Sequence, residues 1–164
     1  MENFFDSGTV DIIIRLFWAM VFGMIIGTER LLAGKTAGMR TYALISMGSA
    51  LFVIVSVLVS NTYLALTEFD PLRMAAQVIA GAGFLGAGLV LVRKDHITGI
   101  TSSAGLWVSA GIGMAAGFGL IKLALISTVL VLFVFIVLWF LEEQFRRLPV
   151  YDKKEREGEK SIDF

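Results

Sequence analysis

Long apolar runs alternate with short polar segments along the chain. The runs are apolar on all sides, whereas the strands of a membrane β-barrel alternate apolar and polar positions. A helix that spans a bilayer needs about 20 mostly apolar residues. The pattern therefore predicts an all-α, polytopic membrane protein with five transmembrane helices, at about residues 12–28, 42–60, 74–92, 102–118 and 120–141.

The basic residues predict how these helices are oriented. They concentrate in the first loop, the third loop and the C-terminal segment, which lie on one side of a five-helix arrangement. By the positive-inside rule, the N-terminus is outside and the C-terminus is cytoplasmic. The first helix is retained, because acidic Glu2, Asp6 and Asp11 precede it where a signal peptide would be basic.

The composition of the chain changes from apolar to charged after residue 141. Residues 142–164 are mostly charged, with both signs, and have little to bury. We expect Glu142 to Leu148 to extend the fifth helix, Pro149 to end it, and the rest of this tail to be largely disordered. The membrane domain is thus residues 1–141, and the tail either solubilises the protein or docks to a partner.

Composition excludes several function classes. Hydrophobic residues make up 57% of the 164 residues, too many for an ordinary soluble enzyme. The 14 basic and 14 acidic residues balance, so nucleic acid is not an expected partner. With no cysteine and only His96, thiol and multi-histidine metal sites are excluded. The G-x-G-x-x-G segment at Gly81–Gly86 lies inside an apolar run without a preceding strand, so we expect neither an enzyme nor a cofactor.

Small residues indicate where the helices pack, because they let helix backbones approach closely in lipid. The third helix has glycines on several faces, so it is either closely surrounded or locally irregular and lining a cavity. The fifth helix has no glycine between Leu120 and Leu141 and is expected to face lipid. The predicted packing positions are Ala19, Gly23 and Gly27 on the first helix, Gly81, Gly83, Gly86 and Gly88 on the third, and Gly105, Ser109, Gly113 and Gly117 on the fourth.

Charged residues at the ends of the first two helices are candidates for function. Asp11 and Arg15 are spaced i,i+4 and can pair at the membrane edge. A short loop brings Glu29 and Arg40 to the same membrane face, within pairing distance. We therefore expect one ion pair at each end of the first helix.

A second group of candidates surrounds the third and fourth helices. Asp70, followed by Pro71, has the pattern of an N-cap, but it could instead hold Arg73. Gln77 is one turn deeper on the same face as Arg73 and needs a hydrogen-bonding partner in lipid. Thr101 begins the fourth helix with Ser102 and Ser103, which either cap the helix or line a polar opening.

Several of these segments together resemble the MgtC/SapB family of bacterial inner-membrane proteins. Their order and spacing carry the resemblance over about residues 15–120. The family's usual G-L-T/N-T-A-A segment before the fourth helix is present in this chain as a variant, with Ile100, Ser102 and Ser103. The matching segments are Gly27–Arg30, Gly38–Thr41, Asp70–Arg73 with Gln77, Gly81–Gly88, Gly99–Ala104, Trp107, Gly113 and Gly117.

The resemblance implies a multi-pass protein of the cytoplasmic membrane, linked to growth at low magnesium, acid tolerance and, in pathogens, survival in macrophages. It implies a modulator of other membrane proteins, including the F-type ATP synthase. Because the tail is short, the chain is more similar to short SapB-like members than to those with a soluble C-terminal domain.

The alternative is a cation transporter or channel, with Mg²⁺ as a possible ligand of Asp70, Glu29 and Gln77. Five helices leave little room for a pathway through one copy. Transport would therefore need an oligomer, and we favour a dimer.

Overall fold

The structure, a computed structural model, describes residues 6–63, 70–93 and 96–146. A π-helical turn at Val134–Leu138 joins the last two helices of the described chain, Ile121–Phe133 and Trp139–Arg146, so these two helices are continuous. The five apolar helical segments agree with the number that the sequence predicts. The helices are α1 (Ser7–Leu32), α2 (Met39–Tyr63), α3 (Pro71–Ala87), α4 (Ile100–Gly117), α5 (Ile121–Phe133) and α6 (Trp139–Arg146).

Within residues 6–63, 70–93 and 96–146, three helical segments are long and apolar enough to cross a bilayer. They are Ser7–Leu32, Met39–Thr62 and Ile121–Phe145. The two others are shorter, since α3 has 17 residues and α4 has 18. The last helix continues through Arg146, in agreement with the predicted extension of the fifth helix beyond residue 141. The predicted end near Leu148 and the tail up to residue 164 lie outside the described residues.

The third helix ends earlier than the sequence predicts. It stops at Ala87, and the apolar residues up to position 92 enter a hairpin instead of continuing the helix. In this hairpin β1 (Leu91–Arg93) pairs antiparallel with β2 (His96–Thr98). Gly99 follows with φ 90°, and a Cβ there would overlap the carbonyl oxygen of Leu89. Glycine is therefore required at the point where the chain leaves the hairpin and enters α4.

The centre of the fold is α2, which contacts α1, α3 and α4. Tyr42, Ser46 and Ala50 on α2 are fully buried. Gly23 of α1 and Gly113 of α4 pack directly against this helix, because a Cβ at either one would overlap a backbone carbonyl oxygen of α2. The small residues of α1 and α4 therefore lie where three helix backbones meet.

The helix α3 is more exposed than its glycines suggest. Its packing against α4 includes Gly86, where an added Cβ would lie 2.8 Å from Ser103 Oγ. By contrast, no atom of the described chain lies within 4 Å of a Cβ added at Gly81 or Gly83. Gly88 caps the end of α3. The helix is regular up to this cap, so it is neither surrounded on all faces nor broken at its glycines.

The first part of α5 presents large apolar side chains outward. Ala124 and Thr128 are buried, whereas Leu125 and Ile126 are 51% and 57% exposed. This distribution is the one expected of a helix with one face against lipid. The described residues 130–146 form a separate compact unit, which contains the π-helical turn and α6.

Candidate functional site

An ion pair that includes the buried Arg30 lies at the C-terminal end of α1. Arg30 is only 4% exposed, and its Nη2 donates to Glu29 Oε1 at 2.6 Å while its Nε donates to Glu29 Oε2. Arg30 lies in the last turn of α1, where a positive charge is favourable beside the helix dipole. The pair is bidentate, the strongest geometry for an arginine and a carboxylate.

The ion pair of Glu29 differs from the one that the sequence predicts. The carboxylate binds its neighbour Arg30, whereas the side chain of Arg40 is exposed. Adjacent residues do not normally face each other along a helix. At the end of α1 the two side chains are nevertheless long enough to bend toward each other, so the loop to Arg40 is not needed to form the pair.

Hydroxyl groups connect the three central helices near this ion pair. Tyr42, which is within electrostatic range of Glu29 and Arg30, donates its hydroxyl to the carbonyl oxygen of Ser102 at 2.8 Å. Ser46 Oγ donates to the carbonyl oxygen of Ala19 at 2.6 Å. These bonds join α2 to α4 and α1 through backbone carbonyls, and they satisfy polar groups that lipid could not.

The hydroxyl residues at the start of α4 do not form one polar opening. Ser102 is buried and its carbonyl oxygen is used by Tyr42, while Thr101 is exposed. Ser103 faces Gly86 of α3. The N-cap of α4 is Gly99, without a side-chain cap. Packing between helices therefore explains two of the three hydroxyl residues.

The opposite end of α1 carries the predicted pair of Asp11 and Arg15. Arg15 Nη2 lies 2.6 Å from Asp11 Oδ2, which confirms the i,i+4 pairing. Arg15 Nη1 also donates to the carbonyl oxygen of Gly117 at 3.1 Å, at the last residue of α4. The guanidinium thus neutralises a carboxylate and the negative end of a helix dipole together.

Asp70 has the geometry of a helix cap. Its Oδ1 accepts from the backbone N–H of Leu72 at 2.9 Å, and Pro71 is the first residue of α3. Arg73 and Gln77 are exposed; neither has a salt bridge or a hydrogen bond to the described residues. The capping interpretation of Asp70 therefore fits the described residues.

The acidic residues lie at opposite ends of the fold. The end of α3 contacts the start of α4, through Gly86 and Ser103, so Asp70 at the start of α3 is remote from Ser102. Glu29 is at the Ser102 end, because the end of α1 packs on the start of α2 at Gly27 and Met39, and Tyr42 one turn further along α2 bonds to Ser102. Among residues 6–63, 70–93 and 96–146, no three His, Asp or Glu side chains are grouped closely enough to hold a metal ion.

Comparison with known proteins identifies the family. A model described as "MgtC family" matches residues 16–144, which is most of the chain. The chain belongs to the MgtC family. The matched region contains Glu29, Arg30, Tyr42, Asp70 and Gln77, and it includes all of α2, α3 and α4.

Curated proteins with longer chains are similar to this one. "Putative magnesium transporter YhiD" of Escherichia coli K12 is 48% identical over 128 residues, which are 77% of this chain and 60% of that protein. An "Uncharacterized protein" of Haemophilus influenzae is 44% identical over 132 residues, 78% of this chain and 56% of that protein. "Protein MgtC" of Salmonella typhimurium LT2 is 38% identical over 148 residues, 90% and 59% of the two chains.

The chain therefore spans between 56% and 60% of the length of these relatives. No solved structure matches it. Family membership and the apolar helices agree that this is a membrane protein, and the names of two relatives refer to magnesium transport or to MgtC.

Arg30 and Tyr42 were not among the site residues predicted from the sequence. In the structure Arg30 binds Glu29, and Tyr42 joins α2 to α4. A signal for Tyr42 was present, because Ser46, Ser49 and Ala50 follow it at helical spacing. Such a series of small residues marks a helix face that approaches other backbones. The same series would have identified α2 as the central helix.

Proposed function

We propose that this MgtC-family protein is a non-enzymatic protein of the bacterial cytoplasmic membrane that modulates other membrane proteins. Its role would be in magnesium and ion homeostasis and in adaptation to stress. The supporting observation is that three carboxylates near helix ends each have a partner within the chain. Asp11 binds Arg15, Glu29 binds Arg30, and Asp70 caps α3. Magnesium is held by carboxylate and water oxygens, and at least one oxygen of each of these carboxylates already has a partner.

The proposed partner is the F-type ATP synthase, which the family resemblance implies. A protein that acts on a neighbour in the membrane needs an apolar surface to contact it. The outward face of α5, with Leu125 and Ile126 half exposed, is such a surface. Contact through a helix face requires no catalytic group and no cofactor.

The second candidate is cation transport, which the name "Putative magnesium transporter YhiD" of the E. coli relative favours. Glu29 and Asp70 would then mark the two ends of a path, since they lie at opposite ends of the fold. Such a path would require more than one copy of this small chain.

Ion flux separates the two functions. The purified protein is placed in liposomes that contain a fluorescent Mg²⁺ indicator, and Mg²⁺ is added outside. We expect no Mg²⁺ entry above that of protein-free liposomes. In cells at low magnesium, a photo-cross-linker at Leu125 should form an adduct with an ATP synthase subunit. Protein-dependent Mg²⁺ entry without that adduct would contradict the modulator function and support the transport function.

We further propose that the N-terminus is outside and the C-terminus is cytoplasmic, with α3 and α4 crossing the membrane despite their length. The support is the position of the basic residues. Arg30, Lys35 and Arg40 lie at the end of α1 and the start of α2, on the same side as the hairpin residue Arg93. Cytoplasmic loops are enriched in such residues.

Reporter fusions test this orientation. Alkaline phosphatase, which is active only outside the cytoplasm, should be inactive when fused after Arg147 and active when fused after Thr67. A cytoplasmic reporter at the same two positions provides the control. Phosphatase activity after Arg147, combined with none after Thr67, would reverse the proposed orientation.

A further inference from the structure

A groove of about 390 Å³ lies between α2 and α3. Its walls are almost entirely apolar, and it opens on the outer surface of the fold. None of its lining residues is charged. The principal ones are Gly48, Ser49 and Phe52 of α2 and Gln77, Gly81 and Leu85 of α3.

Both walls of the groove carry an uncovered glycine. A Cβ added at Gly48 or at Gly81 would have no atom of residues 6–63, 70–93 and 96–146 within 4 Å. This differs from Gly23 and Gly113, where an added Cβ would overlap a neighbouring backbone. In lipid, glycines allow close approach of helices. The groove is thus shaped to receive a further helix.

The groove also contains a polar group without a partner in the described chain. Gln77 is exposed and its carboxamide forms no hydrogen bond to the described residues, whereas the hydroxyl of Ser49 donates to the carbonyl oxygen of Ile45 at 2.8 Å. Leaving an amide unsatisfied in hydrocarbon is costly. The occupant of the groove should therefore supply both a donor and an acceptor.

We propose that the groove binds α3 of a second copy of this chain, so that two Gln77 side chains hydrogen-bond to each other across a two-fold axis. A carboxamide has both a donor and an acceptor, so it is complementary to itself. A two-fold axis places identical residues opposite each other when they lie close to it. An acyl chain would fill the apolar walls but would leave the amide unsatisfied.

The exposure of α3 supports this arrangement. Ala82 and Gly86 are buried against the fold and Met74, Ala75 and Val78 are half-buried, whereas the other positions from Leu72 to Ala87 are exposed. The proposal goes beyond the modulator function, because it assigns a surface to a dimer whatever the dimer does. It also gives a role to Gln77 that neither Asp70 nor Arg73 shares.

Cross-linking tests the two-fold contact directly. The chain has no cysteine, so a single introduced thiol cannot form a disulfide within one copy, and a species of twice the monomer mass marks pairing between two copies. Gln77→Cys, oxidised in native membranes, should give a disulfide-linked species of twice the monomer mass. Gly83→Cys is the matched control. It lies on the same helix and is equally uncovered, but it does not line the groove, so it should remain monomeric.

Filling the groove should separate the copies. Gly81→Leu is expected to convert the dimer to a monomer in light scattering after detergent extraction, while Gly83→Leu remains dimeric. Both leucines have space within one copy, so both variants should melt at or above the temperature of the unmodified protein. A monomeric unmodified protein, equal cross-linking at positions 77 and 83, or lipid retained in the groove in place of a second copy would overturn the proposal.

Discussion

Leucine in place of Gly113 should prevent the central helices from assembling. A Cβ at this position would overlap the carbonyl oxygen of Ser46 and lie 2.8 Å from its Cα. The obstruction is backbone, which cannot rotate away as a side chain can. Inserting even small groups into a closely packed core costs about 1–3 kcal/mol, and more where the backbone must move. We expect a loss at the upper end of that range or beyond.

Gly111→Leu is the matched control for this variant. Gly111 lies two residues earlier on α4, and an added Cβ meets no described atom within 4 Å. The yield of monodisperse protein and the melting temperature in detergent should fall sharply for Gly113→Leu and stay near normal for Gly111→Leu. Equal melting temperatures for the two variants would show that α4 does not contact α2 through this face.

Removing the charge of Glu29 should be the second most damaging change. Arg30 is nearly fully buried and holds Glu29 through two hydrogen bonds. Glu29→Gln keeps the shape but removes the negative charge opposite the guanidinium. Removing one partner of a buried ion pair typically costs about 3–5 kcal/mol. The melting temperature should fall, and Arg30→Lys should not be tolerated, because lysine cannot form the bidentate contact.

Arg40→Gln provides the comparison for Glu29→Gln. Arg40 is exposed, and loss of an exposed charge usually changes stability by less than about 0.5 kcal/mol. Thermal melting of both variants at the same detergent concentration distinguishes the two possible partners of Glu29. If Arg40→Gln were as destabilising as Glu29→Gln, the pair would instead be Glu29 with Arg40.

The apolar pattern predicted where the helices are but not where α3 ends. The runs that became α1, α2 and α4 are bounded by charged residues or glycine, so their positions followed from the sequence. The run after Gly88 continues through Val92 without a polar residue. A short apolar segment is equally compatible with a helix and a strand. Pairing of Val92 with Ile97 decides in favour of the strand.

The site was predictable only where spacing along one helix determines contact. Asp11 and Arg15 are four residues apart, so their pairing could be inferred. The partner of Glu29 could not, because both Arg30 and Arg40 are near it in sequence. The contact of Tyr42 with Ser102 depends on how α2 and α4 are rotated about their axes. That rotation is set by which small residues meet, such as Gly113 at Ser46, and composition does not specify it.

The contact between Arg15 and Gly117 constrains the order in which the contacts of α1 form during synthesis. The two residues are 102 positions apart, so α1 has left the ribosome long before its acceptor carbonyl exists. At about 5–20 residues per second, the delay is roughly 5–20 s. During that interval Asp11 is the available partner of the guanidinium. The first helix to enter the membrane therefore reaches its final contacts only after the fourth has been synthesised.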